Sequence, residues 1–158
     1  MYRIGQGIDF HQLAEGRELW LGGVLIPHSK GAVGHSDADV LLHAICDAML
    51  GALALGDIGK HFPDTDNTYK GIDSKVLLQR CYDLIREKGY QVVNVDSTLL
   101  LQAPKIGAYV EQMQHAIAGI LHLSIHDVSV KATTTEKLSF IGREEGVVAT
   151  ANVLLQKL

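Results

Sequence analysis

Apolar and polar residues alternate along this chain with two periods, and each change of period marks an element. Residues 2–11 and 18–27 show the short alternation and branched apolar side chains expected of strands. Residues 28–36 keep neither period and are predicted to be loop. From about Asp37 to Leu55 the chain is apolar nearly all round, which predicts a buried helix. Ser36 followed by Asp39, just before Val40-Leu41-Leu42, has the form of a capping box at its start. Gly56-Asp57-Ile58-Gly59 ends that helix, and Phe62 to Asn67 reads as an irregular loop rich in turn residues. Val76, Leu77, Cys81, Leu84 and Ile85 fall at helical spacing in a second helix, about Ser74 to Lys88, which Gly89 stops. Tyr90 to Leu101 is β-rich, about 108–122 is an amphipathic third helix, and Val128 to Thr134 and Val147 to Leu155 are strands. With no repeat and no linker, these elements predict an α+β fold: a single-domain sandwich over 1–158, with one mixed β-sheet and helices packed on one face.

Size and charge narrow the picture. A chain of 158 residues falls in the range of one compact domain and buries roughly 70% of its unfolded surface. A net charge of -4 with a pI near 6.0, and no Lys/Arg cluster longer than a pair, argues against nucleic acid as a partner. Any phosphate binding must therefore be local. Cys46 and Cys81 sit in apolar helical segments and read as core residues of a protein in a reducing compartment. The opening Met-Tyr-Arg-Ile-Gly has no basic region followed by an apolar one. The apolar run Val40 to Leu55 is interrupted by His43, Asp47 and Gly51 and is too short to span a membrane. The expectation is a soluble cytoplasmic protein with no membrane partner.

The candidate chemistry is concentrated in a few side chains. Asp9 and His11 are two apart in a strand and so point to one face, where one ion can take both. His43, on the first helix, supplies a third ligand of the right type for zinc, and three protein ligands leave open the position that a catalytic zinc requires. A lone His on an apolar helix is usually a satisfied core residue. Here the nearby Asp9-Phe10-His11 and His35-Ser36-Asp37 strings favour a ligand. Asp47 lies one turn after His43 on the same face and is a candidate to hold the imidazole in its ligating tautomer, the alternative being a solvated or capping acid. Thr133-Thr134-Thr135-Glu136 follows a strand, and its hydroxyls and amides suit phosphate oxygens, although a β-branched strand end accounts for the same residues.

Asp9-Phe10-His11, His35 through His43, Gly56 through Gly59, Phe62 through Asp66, Gln102 through Lys105 and Lys131 through Lys137 together resemble the 2-C-methyl-D-erythritol 2,4-cyclodiphosphate synthase family, with the strings in family order over nearly the whole chain. The resemblance implies conversion of 4-diphosphocytidyl-2-C-methyl-D-erythritol 2-phosphate to the cyclic diphosphate and CMP, by a homotrimer with active sites between subunits. It implies zinc on Asp9, His11 and His43, and magnesium or manganese on Glu136. His35 and Thr134 match catalytic positions, His35 with Ser36 as positioning groups and Thr134 with Thr133 beside the phosphates of the cytidine diphosphate. Ala103, Pro104, Lys105 and Ala132 match the cytosine pocket, Asp57 and Gly59 the ribose site, and His35, Ser36, Phe62 and Asp64 the flexible region that takes methylerythritol phosphate. Phe140 and Arg143 match the trimer axis, where an isoprenoid diphosphate is bound in such enzymes, and Glu144 beside Arg143 would weaken that anion site. Leu101 and Gly107 depart from the family pattern and imply a reshaped base pocket. A metal-dependent phosphoesterase would use the same ligands but give a linear product. A non-catalytic nucleotide- or isoprenoid-binding trimer would have no use for an open metal position.

Overall fold

The computed structural model describes residues 1–158 and places its last strand at the centre of the sheet. The elements in chain order are β1 (Tyr2–Glu15), β2 (Leu19–Leu21), β3 (Val24–Ile26), β4 (Lys30–Ala32), α1 (Val40–Ala52), α2 (Ile58–His61), α3 (Ser74–Glu87), β5 (Tyr90–Leu100), α4 (Val110–Leu121), β6 (Val128–Thr133), α5 (Ser139–Gly142) and β7 (Gly146–Lys157). Five strands form one sheet in the order β4-β1-β7-β5-β6, antiparallel except for the β5–β6 pair. β2 and β3 form a separate hairpin. The long helices α1, α3 and α4 cover one face of the sheet, and a cluster of 38 buried apolar residues fills the space between. The α+β reading, with a mixed sheet and helices on one face, is borne out.

The other face explains the alternation in β1. Gly5, Gly7, Asp9, His11 and Leu13 point toward the helices, while Ile4, Ile8 and Phe10 point away and remain 75%, 47% and 55% exposed. Gly5 and Gly7 let α1 lie directly on the strand. A Cβ on Gly7 would fall on the Ala44 carbonyl and one on Gly5 on that of Ala48, so α1 runs antiparallel to β1. The N-terminal turns of α1 therefore pass over Asp9 and His11, which brings His43 to them.

Several expected boundaries move for local reasons. The strand expected over 18–27 is a hairpin, because Gly22 (φ 60°) and Gly23 (φ 79°) take the left-handed conformation of a two-residue turn. α1 starts at Val40 instead of Asp37, since Ala38 has φ 58° and cannot be helical. Its cap is Asp39 itself, whose carboxylate accepts the amides of Leu42, Gly22 and Gly23 and ties the hairpin to the helix start. Ser36 instead accepts the Ala38 amide, so no capping box forms. The helix also ends earlier, at Ala52. The predicted loop over 28–36 contains the short edge strand β4, and Cys46 and Cys81 are both buried and free.

Candidate metal centre and active site

Asp9 Oδ2, His11 Nε2 and His43 Nδ1 form a triangle with sides of 2.9 Å (Asp9–His11), 3.1 Å (Asp9–His43) and 3.2 Å (His11–His43). Ligand atoms held about 2.0–2.1 Å from a tetrahedral zinc stand roughly 3.3 Å apart, so this set fits such an ion with only slight opening. It is the cluster in which three metal-ligating side chains converge. Burial works against an ionised Asp9, but its hydrogen bonds and the charges of His11 and His43 outweigh it and bring the carboxyl down to about 2. Burial likewise works against a charged His11, and the bond to Asp9 outweighs it, raising the imidazole above its ordinary value.

The second nitrogen of each ring is also engaged. His11 Nδ1 lies 2.9 Å from the Val33 carbonyl, which can only accept, so that nitrogen carries a proton and Nε2 is the nitrogen left to ligate an ion. His43 is 6% exposed, and its Nε2 lies 2.9 Å from Ser74 Oγ and 3.2 Å from Ser36 Oγ. The role expected of Asp47 is thus corrected. Its carboxylate accepts the Ile58 amide at 2.8 Å and fixes the start of α2, and burial raises its pKa. One helical turn sets Asp47 beside α2, whereas the outer nitrogen of His43 points to α3. Ser74 was not singled out in the sequence, where it is an ordinary residue at a helix start.

A cavity of about 560 Å³ opens over the triangle and is lined by Asp9, His11, His43, His35, Ser36, Gly59, Phe62 and Asp64. The sequence strings around residues 9, 35, 43, 59 and 62 are therefore brought together. Asp57 does not line this cavity; its side chain caps α2 by accepting the Lys60 amide at 3.0 Å. A separate cavity of about 430 Å³ is lined by Pro104, Lys105, Ala132, Thr133 and Thr134, with Leu101 and Gly107 in its wall. Ala103 belongs to the turn that carries Pro104. Open space surrounds the Cα of Gly107, so this pocket is roomier there than a side chain would allow. Glu136 follows with φ 52° and donates its amide to Thr134 Oγ1 at 3.2 Å, holding the carboxylate out in solvent.

Phe140 packs against Phe10 of the bare sheet face, with ring centroids 6.2 Å apart. Arg143 pairs with Glu145, at 2.8 and 3.2 Å, and not with the neighbouring Glu144. Glu144 is turned aside by its left-handed backbone, φ 56°.

A sequence model of the YgbB family matches residues 2–156. The chain belongs to the YgbB family. Curated relatives include the 2-C-methyl-D-erythritol 2,4-cyclodiphosphate synthases of Bacillus cereus (strain ATCC 10987 / NRS 248) and Bacillus mycoides (strain KBAB4), each 59% identical and covering 99% of both chains. Among solved structures, the bifunctional IspDF of Campylobacter jejuni superposes with a TM-score of 0.96 at 44% identity, over 100% of this chain and 43% of that one. This chain thus spans less than half of the bifunctional protein. A CDP-bound 2C-methyl-D-erythritol-2,4-cyclodiphosphate synthase gives a TM-score of 0.90 at 38% identity, covering 98% and 100%. Membership of the YgbB family bears out the resemblance carried by the sequence strings.

Proposed function

We propose that this chain converts 4-diphosphocytidyl-2-C-methyl-D-erythritol 2-phosphate to 2-C-methyl-D-erythritol 2,4-cyclodiphosphate and CMP, in the non-mevalonate route to isoprenoid precursors. The observation that carries the reading is the convergence of three metal-ligating atoms in a cavity whose other walls bear the family's substrate-contacting strings. Nucleophile, electrophile and leaving group are all anionic, so the tasks are to neutralise charge and to hold the reactants in line. We assign zinc to Asp9, His11 and His43, and magnesium or manganese to Glu136. Held there, such cations would supply the charge that polarises and neutralises the diphosphate.

An oxygen of the 2-phosphate forms a bond to the β-phosphorus, the bond from that phosphorus to the bridging oxygen breaks, and its electron pair leaves with CMP. The attacking phosphate is already ionised, so no general base is needed. His35 and Ser36 position it, Phe62 and Asp64 enclose the methylerythritol, and Asp57 with Gly59 takes the ribose. Ala103, Pro104, Lys105 and Ala132 wall the cytosine, and Thr133 and Thr134 donate to the diphosphate oxygens.

This assignment favours a homotrimer with shared sites. Register places Asp9, Ala149, Leu99 and Ala132 in one row across the sheet. Asp9 and Ala132 are therefore three strand spacings, about 14 Å, apart. Ala149 and Leu99 between them are fully buried under the helices, so one substrate cannot pass from one cavity to the other within a chain. The exposed Ile4, Ile8 and Phe10 supply an apolar face for the partners. We place Phe140 and Arg143 at the axis, where an isoprenoid diphosphate would have to displace Glu145 from Arg143. Residues 1–158 act as one synthase domain in this reading. No helix is long and apolar enough to cross a membrane, and we assign the enzyme to the cytoplasm. The test is incubation of the purified protein with the cytidyl substrate and magnesium, followed by phosphorus NMR. A cyclic diphosphate with CMP is expected, whereas a linear product would mean hydrolysis and overturn the assignment.

A further inference from the structure

The geometry points to Asp37 and Ser74 as positioning residues that select the metal-ligating tautomer of His43. The chain of reasoning starts at the carboxylate, because an ionised Asp accepts and cannot donate. Asp37 Oδ2 accepts the Ser74 amide at 3.0 Å, and Asp37 Oδ1 accepts both the Asp39 amide, at 3.2 Å, and the Ser74 hydroxyl through a short contact. The only proton of that hydroxyl is therefore spent on Asp37. Ser74 Oγ has nothing left to offer His43 Nε2, 2.9 Å away, except a lone pair. For that contact to be a hydrogen bond, Nε2 must carry the proton. With a cation in the triangle Nδ1 is then the bare, ligating nitrogen, whereas without one it faces the Asp9 carboxylate at 3.1 Å and shares a proton with it.

Ser36 Oγ is the other polar atom facing Nε2, and it does not reverse the assignment. It stands farther off, at 3.2 Å, and it accepts the Ala38 amide. A proton already on Nε2 leaves the Ser36 hydroxyl with no acceptor there, so its hydrogen is free to turn into the cavity it lines. Ser74 and His43 are both buried, at 0% and 6% exposure, so water does not compete for these bonds. His11 reaches the same result by a different device, a backbone carbonyl on its outer nitrogen. The two rings thus present opposite nitrogens to one point, Nε2 from His11 and Nδ1 from His43, each with its second nitrogen committed as a donor.

This inference rests on the metal reading of the triangle, and its test separates the two. Nitrogen-15 NMR of the zinc-loaded wild type at about pH 8.5 reports which nitrogen of His43 keeps its proton while the other faces the ion. A proton kept on Nε2 is the expected result, and a proton kept on Nδ1 overturns the inference. Zinc and cobalt(II) affinities are then measured by competition titration for three variants. Ser74→Ala should weaken both by about 10–100-fold, the usual effect of losing a group that orients a ligating histidine. Ser74→Thr keeps the hydroxyl and should return to within about threefold of wild type, and Asp47→Asn should stay within the same range. Wild-type affinity in a folded Ser74→Ala protein would sink the positioning role, and if Ser74→Ala does not fold the wild-type tautomer decides alone. A wild type that binds neither zinc nor cobalt(II) would instead refute the proposed metal site, and this inference with it.

Discussion

At the scale of single residues, the metal-free triangle makes a prediction with a definite sign. Asp9 is held at about 2 against an ordinary 3.8, so its contribution to stability is present above 3.8 and is lost as pH falls through 2. His11 is raised above 6.5, so its contribution is fully present below 6.5 and is lost as pH rises through its folded value. The pair therefore supports the chelator-treated protein best between those limits. A bound cation replaces the proton and removes the loss on the alkaline side. The thermal midpoint of the metal-loaded protein minus that of the chelated protein should accordingly grow as pH is raised from about 6 to about 8. Scanning calorimetry at a series of pH values checks this, and a difference that stays flat would mean that His11 does not hold the proton. Glu136 offers a separate test, since its carboxylate stands in solvent away from the triangle and is assigned to the harder cation. Glu136→Gln should shift the magnesium dependence of activity to higher concentration, by about tenfold or more, while zinc content by elemental analysis stays unchanged. An unaltered magnesium titration would remove Glu136 from that role.

At the scale of elements, the site depends on how closely α1 lies on β1. A methyl group at position 7 would meet the backbone carbonyl of Ala44, which cannot move without shifting the whole helix. Gly7→Ala should therefore cost about 1–3 kcal/mol of stability and also weaken metal binding, because displacement of α1 carries His43 away from Asp9 and His11. Gly107→Ala is the control, since a Cβ there meets nothing within 4 Å, and its thermal midpoint should stay near wild type. Equal midpoints for both variants would show that the close approach is not needed. The same geometry explains what the sequence revealed and what it hid. Asp9 and His11 were legible because strand periodicity alone sets them on one face, and His43 because an imidazole interrupts an apolar helix. Gly22-Gly23 between two apolar triplets was a legible hairpin signal, submerged in a run that also reads as one strand. Ala38 could not be read, because an alanine gives no local sign of a left-handed backbone. The Asp37–Ser74 link could not be read either: its partners are 37 residues apart and meet only through the packing of α3 against α1. Asp47 was assigned to His43 because helical spacing shows which face a residue shares but not what faces it across the interface.

At the scale of the whole molecule, one chain carries two cavities that its own core keeps apart. The cavity over Asp9, His11 and His43 and the cavity bounded by Lys105 and Thr134 open separately, with buried Leu99 and Ala149 in the row between them. The uncovered sheet face bearing Ile4, Ile8 and Phe10 is apolar and exposed, and in the proposed trimer it is the surface that would bring cavities of different chains together. If active sites form between subunits, two kinds of defect should complement each other. A His43→Ala chain spoils the metal side of every site in its own trimer, and a Thr134→Trp chain blocks the diphosphate side of every site in its trimer. When subunits of the two are exchanged, interfaces that combine the intact metal side of one with the intact Thr134 side of the other are complete. With one variant residue per chain, a trimer containing both kinds of chain arranged in a ring has one such interface out of three. Random mixing in equal amounts should therefore restore about a quarter of wild-type activity, three-quarters of the trimers being mixed and each having one complete site. Native mass spectrometry of the two chains, distinguished by isotope labelling, establishes that exchange has occurred before activity is read. Exchange without recovered activity would place each complete site inside one chain and would require a path between the two cavities that the buried row across the sheet now closes.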